Sequence, residues 1–528
     1  MRPKKILLVC VCLLSGVAAS CSGAAYMARM AGDRSKTAAD REFDRLAGDF
    51  VAEFLALNPT AASINGSRDH DGKWEDLSEG GVRASLAVYA RHRALIAAID
   101  AGSIGAQNRV DRERILNAID ILVFNLARLK RHEWDPSLYS EIVKDGLTGL
   151  PASAVTGYRS RLERLPAFLL GARKTLSNAS PAHLQHAARQ IDAVAGTVSD
   201  AAAKRSLMEF SAWLTGTLLP GSTRDPRIGT GLWEEMFAVV LDTGLNPLDL
   251  VAAAKEQAAA TRARVIGLAS EDRVRTATAA LSVDTLKQEA ARIREFIGSR
   301  ALVTLPPREI SPAFLLCSDG CDTLSPAVFI PSSAGLTPSL IFNTGYLRSS
   351  GRETIGTLLI HELYPGHFTQ WWHAMSSSSV TYIRRLFPNL AFIEGWAVYV
   401  EEMMYDAGWG SGDRDAELRR ELERLKSPLN LIVDHGLHTR NMSGAQAVEL
   451  LVTAGFQRPD EAAARVERAI LSPVQMSSYF AGHAALESAI KKLKARNPAG
   501  LKQSSLFDSI LSSGAIPLHL VESATDGR

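Results

Sequence analysis

The stretch His361-Glu362-Leu363-Tyr364-Pro365-Gly366-His367 (HELYPGH) decides how the rest of the chain is read. It begins like HExxH, the zinc-peptidase helix. There, histidines four residues apart lie about 40° from each other around the axis and face one ion. Here the two histidines are six positions apart, with a proline between them. On a regular helix six residues turn about 600°, which leaves the side chains about 120° apart and unable to share an ion. A regular helix is not expected, however. Pro365 lacks the N–H that would bond to the His361 carbonyl, and it disfavours helical geometry at Tyr364. Gly366 tolerates conformations that other residues avoid. A Pro-Gly bulge that inserts two residues would return His367 to the face of His361. Taken alone, the stretch is compatible with a metal site and equally with two histidines beside a helix break.

Working outward, Glu394 follows His367 by twenty-seven residues, in Phe392-Ile393-Glu394-Gly395-Trp396-Ala397 at the start of a strongly helical stretch. Zinc peptidases with two histidines and one glutamate take the third ligand from a later helix, so His361, His367 and Glu394 are the candidate metal ligands. Glu362 is then the candidate general base. Glu401 lies seven residues on, about two turns, and so shares the face of Glu394. It reads either as an acceptor for a histidine N–H or as a solvated charge; Glu402 reads as a solvated charge. Further along, Asp434-His435-Gly436-Leu437-His438 places Asp434 and His438 on one helix face, and Pro473-Val474-Gln475-Met476-Ser477-Ser478-Tyr479 follows. Metallopeptidases commonly use a distant His or Tyr to stabilise the tetrahedral oxyanion. Tyr479 is the first candidate and His438 the second, with ordinary core packing as the alternative for each.

Taken in order, HELYPGH, FIEGWAVYVEEM, LIVDHGLH and SPVQMSSYFAG resemble the bacterial family called domain of unknown function 885, whose pattern is HExxPGH followed by EGWA, DxGLH and PGQxxSY segments. The stretch Asn65–Gly72 followed by Asp76-Leu77-Ser78, and Arg227-Ile228-Gly229, fit the same family. Two positions depart from it: Phe368 stands where a second histidine often follows, and Val474 where glycine is usual. The resemblance covers nearly the whole mature chain. It implies a mostly helical zinc metallopeptidase-like fold, members of which often carry secretion or lipoprotein signals.

The N-terminus reads as a targeting segment over residues 1–20. Arg2, Lys4 and Lys5 form a positive start, and Ile6–Ala19 an apolar run too short for an ordinary membrane-spanning helix. Ala18-Ala19-Ser20-Cys21 resembles a lipobox, with Cys21 the lipidated first residue of the mature chain; a plain signal peptide or an uncleaved anchor are the alternatives. The expectation is an exported chain, lipid-anchored to the outer membrane facing the periplasm, or secreted. Of five cysteines only Cys317 and Cys321 stand in the body, as CSDGC. Export favours a local disulfide or free thiols there over a metal role.

Length and composition set the frame. With 528 residues, 46% of them hydrophobic, the chain has ample material for a large core. The formal net charge is only +2, and no basic patch with interleaved aromatics stands out, which sets nucleic acid aside as a partner. Residues 21–40 read as a flexible tether. From Asp40, Phe43, Leu46, Phe50, Phe54 and Leu57 recur at helical spacing until Asn58-Pro59 stops them. Similar patterns cover 81–101, 108–131, 152–177, 181–217, 247–269 and 285–298, and the helical pattern resumes from Arg352 to about Lys494. Between them, Ala327–Ile330 and Ser339–Asn343 read as strands. The reading is therefore mostly α: a single helical domain over 41–528 with a small β element just before the active-site helix. The expected function is that of a zinc-dependent peptidase acting on a peptide or small amide. The rivals are a metal-dependent hydrolase of non-peptide amides or esters, and a non-catalytic lipoprotein that keeps the fold. The strand around Ser339–Asn343 is expected to pair with an extended substrate along its edge.

Overall fold

The computed structural model describes residues 36–269, 281–317, 326–331, 338–347, 352–496 and 502–525. The targeting segment, Cys21 and Cys321 lie outside the described residues. Cys317 is disulfide-bonded. The fold is mostly helical, with one small three-stranded sheet. No described helix is long and apolar enough to cross a membrane.

The chain divides into two compact units. The first holds residues up to Pro226 together with Thr381–Phe387. Its leading helix, Ala38–Leu57, starts at a capping box in which Thr37 and Asp40 satisfy each other's backbone N–H groups. The apolar stripe read from the sequence faces inward. Phe43, Phe50 and Phe54 are fully buried, and Phe387 packs on Phe50 and Phe54 with ring centroids 5.7 and 4.8 Å away. Each such burial contributes on the order of 1.5–3 kcal/mol. The Asn65–Ser78 region is structural. Arg161, buried beneath it, donates to the carbonyls of Lys73 (3.1 Å), Gly146 (2.7 Å) and Pro59 (3.0 Å) and to Ser63 Oγ (2.8 Å). Ser63 donates in turn to Asp71 Oδ1 at 2.6 Å. A buried guanidinium is tolerated because its donors are met. The long pattern over 181–217 is two helices rather than one, Pro181–Ala195 and Ala201–Trp213. Asp200 caps the second by accepting from the Ala203 N–H, an alternative to helix that short polar side chains offer the backbone.

The second unit holds Arg227–Pro331, Thr337–Val380 and Pro388–Arg528. Its sheet has strands β1 (Ala313–Cys317), β2 (Ala327–Ile330) and β3 (Ser339–Asn343) in the order β1-β3-β2. β1 runs parallel to β3 and β2 antiparallel to it. Leu340, Ile341 and Phe342 of β3 are buried. β3 is thus the central strand, so the expected pairing of a substrate along Ser339–Asn343 is not available: both edges of that strand are taken. Among the described residues, β2 is the edge strand on this side.

Two helices of this unit cross at nearly bare backbone. A Cβ on Gly395, in the helix Leu390–Asp406, would overlap the backbone of Gly482 in the helix Ser478–Arg496, and one on Gly482 would overlap the Ala391 carbonyl. This contact brings the helix that carries Glu394 against the one that carries Tyr479.

Candidate metal centre

The interruption in HELYPGH separates two helices, Arg352–Glu362 and His367–Ser376. Across it the backbone makes two unusually wide bonds: Gly366 N–H to the Ile360 carbonyl at 3.0 Å, and Thr369 N–H to the Leu363 carbonyl at 3.3 Å. Each spans six residues instead of four, so two extra residues are taken up between the histidines. The Tyr364–Pro365 peptide is cis. A Cβ on Gly366 would overlap the His361 carbonyl, so only glycine permits this return of the chain. Trp396 closes the turn from outside by donating from its indole N–H to the Pro365 carbonyl at 3.0 Å.

The result brings His361 and His367 together, ring centroids 4.8 Å apart and nearly perpendicular at 87°. Glu394 Oε2 lies 3.5 Å from His361 Nε2 and 3.7 Å from His367 Nε2. One donor atom from each of the three residues falls within 4.8 Å of the others. Glu394 Oε2 is buried and makes no hydrogen bond among the described residues. Two imidazoles and an orphaned carboxylate oxygen converging on one point are a donor set that fits a divalent cation. At zinc–ligand distances near 2.0–2.1 Å, tetrahedral ligand atoms stand about 3.3 Å apart, close to the two spacings above.

Electrostatics point the same way. His361 Nδ1 is 2.6 Å from Glu401 Oε1, which fixes the imidazole so that Nε2 faces Glu394. Burial pushes the His361 pKa down, but Glu394 and Glu401 outweigh it and hold it well above the usual value. Burial pushes the Glu394 carboxyl up, and the two histidines overcome this and hold it well below the carboxylate range. A place that stabilises positive charge between histidines and carboxylates is one where a cation can replace the proton. Glu362 is buried, and burial raises its pKa against the opposing pull of His367 and His361. Its Oε2 accepts the Phe329 N–H at 2.9 Å. That N–H leaves β2 on the side away from β3, so the outer edge of β2 runs past Glu362.

Tyr479 lies at the same centre. Its ring centroid is 6.3 Å from that of His361, and its hydroxyl accepts from Arg468 at 3.0 Å. Burial raises the phenol pKa, with Arg468 pulling against it. His361, Glu362, Glu401 and Tyr479 all line one cavity of about 410 Å³.

His438 is placed elsewhere. It is fully buried, with Nε2 2.9 Å from the Ala469 carbonyl and Nδ1 accepting from the Ile228 N–H at 3.5 Å. It does not line the cavity, which corrects its second-choice assignment to the oxyanion. Both ring nitrogens serve the backbone, and here the ordinary packing alternative holds. The rest of the segment has a positioning task. Asp434 accepts from Trp233 Nε1 (3.2 Å), Val474 N–H (3.2 Å) and Ser477 Oγ, and burial pushes its carboxyl up to about 7. It thereby fixes the turn that leads into the Tyr479 helix. Val474 has φ 59°, in the left-handed region that favours glycine. Gly229, at φ 88°, donates its N–H to the His438 carbonyl at 3.0 Å, which ties the Arg227-Ile228-Gly229 segment to the helix that carries His438.

Glu402 is not the solvated charge expected from the sequence: it is half-buried, 3.3 Å from Arg424 and 3.6 Å from His483. Sequence reasoning also missed Arg468 and Trp396. Trp396 stood in a motif that had been singled out. Arg468 had no local signal, since it lies on an amphipathic helix, Pro459–Leu471, that reads as surface.

Fold and site together define a mostly helical protein with a candidate His–His–Glu metal centre. The chain belongs to the bacterial family of unknown function DUF885, whose model matches residues 59–524. No curated protein matches it significantly. Two solved structures share the fold. One is a candidate lipoprotein of unknown function from Shewanella oneidensis, 23% identical, with a TM-score of 0.75 over 91% of this chain and 98% of that one. The other is a candidate lipoprotein from Colwellia psychrerythraea, 15% identical, with a TM-score of 0.74 over 93% of this chain and 99% of that one.

Proposed function

We propose that the chain is an exported zinc-dependent hydrolase that cleaves peptide bonds. The observation that carries this reading is the convergence of His361, His367 and Glu394 with a buried carboxylate, Glu362, that a purely structural metal site would not need. His361, His367 and Glu394 would hold the ion. Zinc bound there would supply a Lewis acid that polarises the scissile carbonyl and makes water a stronger acid.

The chain's own residues do the rest. Glu362, its pKa raised by burial, takes a proton from the attacking water and later passes it to the leaving amine. Tyr479 donates its O–H to the carbonyl oxygen as negative charge develops there. Arg468, already bonded to the phenol oxygen, makes it a better donor. Glu401 holds the His361 tautomer. An extended peptide on the outer edge of β2 would bring its backbone beside Glu362, and this favours peptides over other amides or esters.

Cys21 is the proposed lipid attachment point, and Ser22 after it favours the outer membrane in a Gram-negative host. Mass spectrometry of the mature N-terminus tests this, and an unlipidated terminus elsewhere means simple secretion. For the activity, the test is metal analysis of the purified chain, then assay against peptide mixtures and simple esters before and after metal removal. Metal-dependent cleavage of esters but no peptides would select the non-peptide hydrolase. Bound metal with no cleavage of either would select the non-catalytic lipoprotein.

A further inference from the structure

The cavity beside the histidine cluster is lined by seven arginines and lysines against five glutamates. Two of the five, Glu362 and Glu401, belong to the metal centre. Glu402 and Glu423 are matched by Arg424 at 3.3 Å and Lys426 at 2.6 Å. Arg420 and Arg458 pair with Asp406 and Asp460, which do not line the cavity. Arg419 and Arg465 lie outside these pairs. Arg465 donates through Nη1 to the neutral Asn430 Oδ1 at 2.8 Å and lies 3.8 Å from Glu461, and its Nε is buried with no partner among the described residues. Arg419, facing the same space, also has a buried Nε without a partner. Arg465 and Arg468 are three residues apart on one helix, so they share a face. Arg468 touches the Tyr479 hydroxyl.

We infer that this cavity binds a carboxylate of the substrate, with Arg465 as its principal partner and Arg419 as a second. The inference rests on the reading of the cluster as a hydrolytic centre and names the class of substrate it takes. An arginine fork matches a carboxylate in shape and charge, and the low-dielectric setting strengthens the pair. Arg465 is one helical turn from Arg468, which is one hydrogen bond from Tyr479. The carboxylate therefore sits one or two residues beyond the scissile bond. Two sources share this chemistry: the C-terminal carboxylate of a short peptide, or an Asp or Glu side chain on the leaving side.

The test uses the zinc-loaded mature chain and matched peptides. One pair differs only in a free or amidated C-terminus. A second pair, amidated throughout, differs in Glu or Gln on the leaving side. At least one carboxylate member is expected to have kcat/KM about ten- to a hundredfold above its amide partner. The pair that shows the preference names the source. In Arg465→Met the ratio falls toward one, and in Arg465→Lys part of it survives, with zinc content and thermal midpoint as controls of folding. Equal handling of both pairs by the wild type overturns the inference, as does a preference that persists in both Arg465→Met and Arg419→Met. If the wild type cleaves neither pair, the peptidase reading fails separately, and calorimetric binding of the same pairs decides this one. Carboxylate-dependent binding that Arg465→Met removes sustains it. Equal binding, or none, overturns it.

Discussion

The indole N–H of Trp396 donates to the carbonyl oxygen of Pro365 at 3.0 Å. This bond fastens the helix that supplies Glu394 to the turn that separates His361 from His367. Three candidate ligands from three helices are thereby held by one neighbouring pair, and their mutual distances depend on the backbone between the histidines as much as on the side chains.

Gly366→Ala should therefore abolish metal binding. The added methyl group would overlap the His361 carbonyl, and relieving that overlap moves His367 away from Glu394. Zinc content of the purified variant checks this: a full equivalent of tightly bound zinc would show that the turn is more adaptable than its geometry implies.

Glu401→Gln should weaken metal affinity by about 10–100-fold without removing a ligand. The amide no longer provides a charge opposite His361 Nδ1, which lies 2.6 Å from the carboxylate in the native protein. Competition with a chelator of known affinity measures the change. An unaltered affinity would mean that Glu401 is only packed there.

Glu362→Gln should keep fold and metal while turnover falls by about 10²–10⁴-fold, the usual contribution of a general acid–base group. The amide is nearly isosteric, and its oxygen can still accept the Phe329 N–H. Wild-type turnover in this variant would remove Glu362 from the mechanism.

Tyr479→Phe and His438→Ala should fail in different ways. The first should lower kcat and kcat/KM together by about 10²–10³-fold with KM little changed, as for a group that acts only in the transition state. The second should lose stability by about 1–3 kcal/mol, because the Ala469 carbonyl and the Ile228 N–H lose their buried partner. Urea unfolding alongside steady-state kinetics separates the two. A catalytic loss in correctly folded His438→Ala would return the oxyanion role to His438.

Acid should destabilise the first unit through His183. Its ring is buried and its pKa is pushed down to about 4, chiefly by burial; Arg131, His186 and Arg224 add to this, and Asp135 opposes it. Free in the unfolded chain it titrates near 6.5. Between these values the unfolded state binds a proton that the native state does not, so the stability contribution is full above about pH 6.5 and is lost as pH falls toward 4. Between pH 7 and pH 5 the loss should be about 2 kcal/mol. His183→Asn should flatten that part of the profile, and an unchanged slope in urea unfolding would assign it to other groups.

The sequence alone determined the helical class and the leading amphipathic helix, and it named the three candidate ligands that converge in the fold. These rest on local rules: apolar spacing at Phe43, Phe50 and Phe54, and the chemistry of histidine and glutamate. The sheet's strands were legible too, but not their order, because hydrogen-bond partners are chosen by the rest of the fold. β3 therefore proved central, and β2 carries the edge beside Glu362. The sequence ranked Tyr479 ahead of His438 as a potential donor but left core packing open for both. The tertiary structure spends both nitrogens of His438 on backbone groups and brings Tyr479 to His361 through the close crossing at Gly395 and Gly482. Arg465 and Arg468 read as surface charges on an amphipathic helix. Whether such a charge meets water or a cavity depends on what packs opposite, and a residue's own neighbours in sequence do not encode that.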